Sequence, residues 1–101
     1  MTEHSCRVTG NRLIITGDFS ADADTGFDEA CQKLLSAGES ELIVDLSAAT
    51  RVCSTYVGLL AELCLNAGNG GKTLTIRCGR KINRVLTEAG LDHAAKLQET
   101  G

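Results

Sequence analysis

The stretch ELIVDLSAATRVCSTYVGLL, residues 41–60, decides the fold. Its first half is an apolar run, Leu42 to Leu46, broken only by Asp45. A run of this kind reads as a strand buried on both faces, central in a sheet that is at least partly parallel. The second half changes period. Val57, Leu60, Ala61, Cys64 and Ala67 fall on one helical face, so a helix is expected from about Thr55. Between strand and helix, residues 47–54 read as a loop leaving the carboxyl end of the strand. A thiol and two hydroxyls, Cys53, Ser54 and Thr55, stand where that loop becomes a helix.

Working outward, SCRV and RLIIT read as two short strands around the turn Thr9–Asn11, where Gly10 and Asn11 suit a hairpin. GDFSADADTG is polar and turn-rich. Phe27, Cys31, Leu34 and Leu35 then recur at helical spacing, with Asp24 or Thr25 as a candidate cap and Gly38 as a stop. On the far side of the central stretch, GNGG ends the second helix. KTLTIRC alternates, with Leu74, Ile76 and Cys78 on one side. RKINRVLTEAGL reads as a third helix with Ile82, Val85, Leu86 and Ala89 facing inward. Gly90 suits the left-handed position after it, and Leu91 would clip against Leu86. A short edge strand is expected around Leu97. Strands alternating with helices imply right-handed crossovers and parallel pairing, an α/β fold in which helices pack on a mixed, mostly parallel sheet of four or five strands.

The length of 101 residues suits one domain, residues 1–101, with one core. About two-fifths of the residues are apolar, but the aromatic ones are only Phe19, Phe27 and Tyr56, so aliphatic side chains and Cys must build the interior. A net charge of −3 without a basic stripe argues against a nucleic-acid partner. The five cysteines are widely spaced and odd in number, which speaks against a disulfide framework or a zinc site. No run approaches the ~18 apolar residues of a membrane span, and MTEHSCRVTG has no apolar core of a signal peptide. The expectation is a reduced, cytoplasmic protein that does not insert into a membrane.

Few residues invite chemistry. The first amides of the second helix favour an anion, so a phosphate on Ser54 or Thr55 would be tolerated there; the plainer reading makes these hydroxyls caps. Cys53 at the same helix start is a candidate redox thiol. Gly68–Gly71 runs from helix into strand, the wrong direction for a phosphate loop. His4 and His93 lack sequence-adjacent partners, and Asp18, Asp22 and Asp24 lack the spacing of a calcium loop. Asp45 interrupts an apolar strand and needs partners, either backbone amides or a nearby Ser. No set of residues makes an enzyme, and neither a metal nor a cofactor is called for.

LIVDLSAATRVCSTYVGLLAEL resembles the centre of STAS domains, the sulfate-transporter and anti-sigma-factor-antagonist family. Asp45, Leu46 and Ser47 match the family's strand end, Ser54 falls on its phosphorylatable hydroxyl, and Gly58, Leu59 and Leu60 fall in its helix. LIITGDF, GKTLTI and INRVLTEAGL extend the likeness over nearly the whole chain. The resemblance implies a binding module without catalysis of its own, its partner surface including Asp18, Cys53, Ser54, Thr55 and Tyr56. In the anti-sigma antagonist branch, a serine kinase that is also an anti-sigma factor phosphorylates the helix-start hydroxyl and so blocks binding. Two positions depart from the pattern: Cys53 replaces the acidic residue before the Ser, and Tyr56 replaces a small residue after it. TRVCS also resembles the STAS subunit of ABC lipid-transport systems, which clasps the ATPase subunit without partner switching.

Overall fold

The computed structural model describes residues 5–19 and 25–100. Two strands, β1 (Ser5–Thr9) and β2 (Arg12–Phe19), are followed by α1 (Thr25–Leu35), β3 (Glu41–Val52), α2 (Ser54–Asn69), β4 (Thr73–Cys78), α3 (Arg80–Glu88), a 3-10 turn (Leu91–His93) and β5 (Lys96–Glu99). The sheet order is β1-β2-β3-β4-β5. The β1–β2 pair is antiparallel, and the other three pairs are parallel. His4, Asp22 and Asp24 lie outside the described residues, as does the side chain of Thr25.

The hairpin forms where Gly10 and Asn11 suggest it. Gly10 has φ +60 and Asn11 a negative φ, the pattern of a tight turn whose first central residue must be Gly. Asn11 then ties the hairpin to β3. Its Nδ2 donates to the Glu41 carbonyl at 2.8 Å, and its carbonyl accepts from the Ile43 amide at 2.9 Å.

Each parallel strand lies beside the one before it in sequence. Right-handed crossovers between such neighbours all pass over the same side of the sheet. Burial agrees. Leu13 and Ile15 of β2, Leu42, Val44 and Leu46 of β3, and Leu74, Ile76 and Cys78 of β4 form one cluster with side chains from all three helices. The residues between them, such as Ile14, Ile43, Asp45 and Arg77, are half-buried. The expectation that β3 is buried on both faces is therefore corrected: one face is packed, and no helix among the described residues covers the other.

Two helix faces differ from expectation by a small rotation. On α2 the buried residues are Tyr56, Leu60, Leu63, Cys64 and Ala67, with Val57 and Ala61 on the flank. The stripe that begins at Tyr56 turns three large side chains inward and so removes more apolar area from water. The nine-residue α3 buries only Ile82 and Leu86, leaving Val85 42% exposed. Its end matches the expected pattern: Gly90 is left-handed at φ +86, and Leu91 is buried in the cluster that holds Leu86.

The five thiols are unbridged. Burial, assisted by Asp28, Cys6 and Glu62, pushes Cys31 up to about 12, and burial pushes Cys64 up to about 11. Both are neutral packing groups at ordinary pH.

Leu86 has no exposed surface. Leu86→Ala should cost ~2–5 kcal/mol, through lost burial and the cavity left behind. A urea titration measures it, and a loss under about 1 kcal/mol would contradict the packing of α3.

Candidate functional site

The site is the corner where β3 hands over to α2. The expected loop over residues 47–54 is not there: β3 continues as strand to Val52, and Cys53 alone separates it from the helix. The extra length comes from pairing with β2 beyond the end of β4. Register shifts lie between Ile14 and Thr16 and between Gly17 and Asp18. In the first, two steps on β2 match three on β3, Asp45 to Ala48. In the second, one step matches two, Ala49 to Arg51. Each is a bulge, which bends the strand and re-aims the residues beyond it.

Asp45 sits at the first bulge. One carboxylate oxygen accepts from the Ser47 amide at 3.0 Å and from the Ser47 hydroxyl at 2.6 Å. The other lies 3.7 Å from the Arg12 guanidinium. The Ser47 amide and hydroxyl are the partners expected for it, the Arg12 pair is not, and the strand-end Asp-Leu-Ser gains a physical role in fixing the extra residue of β3. Burial of the carboxyl works against ionisation. The two hydrogen bonds from Ser47 and the charges of Arg77 and Arg12 outweigh it, holding Asp45 below the ordinary carboxylate range.

The second bulge delivers the chain to the helix. Asp18 stands opposite Arg51, and Phe19 opposite Val52. The Cys53 amide then donates to the Phe19 carbonyl at 3.0 Å, so the helix start is fastened to the end of β2. Cys53 is the N-cap, in extended conformation at φ −83 and ψ 171, and its side chain makes no cap bond to the helix. The first helical bond runs from the Val57 amide to the Cys53 carbonyl at 3.0 Å. Ser54 and Thr55 therefore occupy the first helical positions, exposed, and the capping role considered for them does not hold. Cys53 is half-buried, in the same range of exposure as Cys6 and Cys31.

Tyr56, expected on the partner surface, is 2% exposed. One helical turn holds Ser54 and Thr55 outward and points Tyr56 into the core, since residues two apart face different sides. Its ring meets Phe19 edge-on at 4.8 Å and Phe27 at 5.3 Å, and those two rings lie 6.3 Å apart. All three aromatic residues of the chain thus form one cluster from β2, α1 and α2. No water-sized cavity remains around them. Phe19 and Phe27 are the positioning residues that sequence reasoning missed; the scarcity of aromatic residues was the available signal.

Asp18, Cys53, Ser54 and Thr55 are thus brought to one end of the sheet, and Tyr56 lies beneath them. Among the described residues no group of three or more His, Cys, Asp or Glu side chains is placed to hold a metal ion. No helix among them is long and apolar enough to cross a membrane.

Asp45 and Cys53 each offer a test of this geometry. Because Asp45 titrates lower in the folded chain, it stabilises fully above its ordinary pKa of ~3.9 and loses that effect as pH falls below it. Asp45→Asn should therefore flatten the acid limb of a plot of urea midpoint against pH; an unchanged limb would remove Asp45 as its source. Cys is a poor N-cap where Asp is a good one, and residue 53 already has the right backbone. Cys53→Asp should stabilise by about 1 kcal/mol in the same titration, and destabilisation would mean that the thiol's packing outweighs the cap.

The sequence matches the model of a family described as "Mlab, STAS domain" over residues 5–99. The fold is similar to the crystal structure of an anti-sigma factor antagonist from Mycobacterium paratuberculosis. The TM-score is 0.69 at 17% sequence identity, over 99% of this chain and 87% of that one. At that identity the likeness speaks for the fold. A comparison with curated proteins gives no match. The family match runs from the first strand to the last, across the bulged β3 and its junction with α2, and the chain belongs to the STAS domain family.

Proposed function

We propose that this STAS domain is a non-catalytic regulatory module that a protein partner grips at the start of α2, and that phosphorylation of Ser54 releases the partner. The observation that carries this reading is the state of Ser54: exposed, first in the helix, and taking no part in capping. Tyr56 anchors the same turn in the core, so the hydroxyl is presented from a rigid support. Cys53 and Thr55 flank it, and Asp18 stands near the end of the adjacent strand.

A phosphate on Ser54 would add nearly two negative charges beside helix amides that favour an anion. The first turn of α2 has no acidic residue to repel it. The modified domain stays folded, and the change is confined to the surface that docks. The partner on this reading is a serine kinase that also acts as an anti-sigma factor, in keeping with the solved anti-sigma factor antagonist of similar fold. Thr55, exposed at the next position, is the second choice of acceptor.

Cys53 and the "Mlab" description of the matched family favour a second reading. There the same corner clasps the ATPase subunit of an ABC lipid-transport complex, and no phosphate regulates it.

Calorimetric titration of wild type, Ser54→Ala and Ser54→Asp against the two purified partners separates these readings. Neither substitution removes a cap, so stability should change by no more than about 0.5 kcal/mol. Ser54→Ala should bind the kinase as wild type does, whereas Ser54→Asp should bind at least tenfold more weakly, ~1.4 kcal/mol. Equal binding of all three to the kinase would defeat the switch. A tight complex with the ATPase subunit, indifferent to Ser54→Asp, would establish the second reading.

A further inference from the structure

The sheet face left open by the helices has a composition unlike the rest of the molecule. Strand registers define two rows across it. One runs Arg7, Ile14, Asp45, Arg77, Gln98; the next runs Thr9, Arg12, Ile43, Thr75, Lys96. With Glu41 at the start of β3, this surface carries four cations against two carboxylates, a net +2 on a chain of net −3. Asp18 and Arg51, opposite each other at the far end of β2 and β3, add one charge of each sign. The remainder of the chain is therefore strongly acidic. The two isoleucines at the centre of the rows are half-buried.

Arg77 is the penultimate residue of β4 and stands on this face. Its Nε is buried without a hydrogen-bond partner, and it is the only such side-chain nitrogen or oxygen among the described residues. Asp45, opposite it on β3, feels the charge of Arg77 but accepts its hydrogen bonds from Ser47 and forms its ion pair with Arg12. A buried donor left unpaired is costly; because Nε is buried, a partner meets the half-buried Arg77 through its charge and not through that atom.

We propose that the open sheet face is a second docking surface, for an acidic segment of a protein partner. A carboxylate of that segment pairs with Arg77, others meet Arg7, Arg12 and Lys96, and an apolar side chain covers Ile14 and Ile43. An arginine offers a planar fork that suits a carboxylate. Single-stranded nucleic acid fits less well, because the face holds no aromatic ring for stacking and Glu41 and Asp45 oppose a continuous phosphate chain. An anionic membrane would find only two isoleucines to bury. The two rows lie on the side of the sheet away from the helices, so they are separate from the docking corner at Ser54, which shares only Asp18 with this face.

Poly-L-glutamate is the probe, with amide chemical shifts of the 15N-labelled chain as the readout at low salt and poly-L-lysine as the control. The expected result is saturable shifts at Arg7, Ile14, Ile43, Thr75 and Arg77, with affinity reduced at least ~10-fold in Arg7→Gln/Arg77→Gln, as befits charged contacts at an interface. Arg77→Lys keeps the charge but loses the fork, and it should also bind more weakly than wild type. Should Arg77 variants fail to melt cooperatively, Arg7→Gln/Lys96→Gln, both at exposed positions, carries the same test. Ser54→Asp should bind the probe as wild type does. The proposal is overturned if shifts gather at the start of α2 or scatter over the surface, or if the charge-neutral variants bind equally. It is overturned equally if oligo(dT) or phosphatidylglycerol vesicles bind this face more tightly than poly-L-glutamate.

Discussion

Right-handed crossovers between strands that are neighbours both in sequence and in space force every helix onto one side of the sheet. Most of what this domain presents to other molecules depends on that constraint. A doubly wound sheet reverses its strand order at one point, where diverging helices open a crevice for a cofactor. The order β1-β2-β3-β4-β5 has no reversal, hence no crevice of that kind. The molecule is left with surfaces: a packed side covered by helices, a bare side of strands, and the corners where strands turn into helices. Such a fold is better suited to docking than to enclosing a substrate.

The β3–α2 corner is held from two directions. Bulges lengthen β3 relative to β2, and the hydrogen bonds from Ser47 to Asp45 fix the first of them. The aromatic cluster fixes the helix after the turn, with Tyr56 wedged against Phe19 and Phe27. Between these anchors Cys53 bonds back to Phe19 through its amide. Ser54 is consequently an exposed residue on a rigid mount, and on the proposed function little ordering entropy would be lost when a partner binds it.

Much of the fold was legible in the sequence because hydrophobic period reports local structure directly. The hairpin at Gly10, the alternation of Leu74, Ile76 and Cys78, and the Gly90–Leu91 helix stop all appear where the pattern places them. Context could not be read in the same way. Leu42 to Leu46 looked buried on both faces, since Ile43 is as apolar as its neighbours; only the one-sided placement of the helices shows that it faces outward. Residues 47–52 looked like a loop, because Ser, Ala and Thr carry no strand period and the bulges break what period there is. Tyr56 was misplaced for a related reason. Its ring packs with Phe19 and Phe27, which are distant in sequence, so nothing local shows that it is gathered into the core.

Cys53 leaves the start of α2 short of a negative charge. An acidic N-cap would supply both a hydrogen bond and a charge to the amides that open the helix. The Cys53 side chain makes no cap bond to this helix, and its first turn holds no acidic residue. On the proposed function, the favourable field of the helix end would meet an external anion. A phosphate on Ser54 would meet it in one reading of the function, and a partner's carboxylate in the other. On either proposed reading, the stability of α2 would depend on the group that binds or modifies its first turn, more than in a domain whose N-cap side chain bonds those amides.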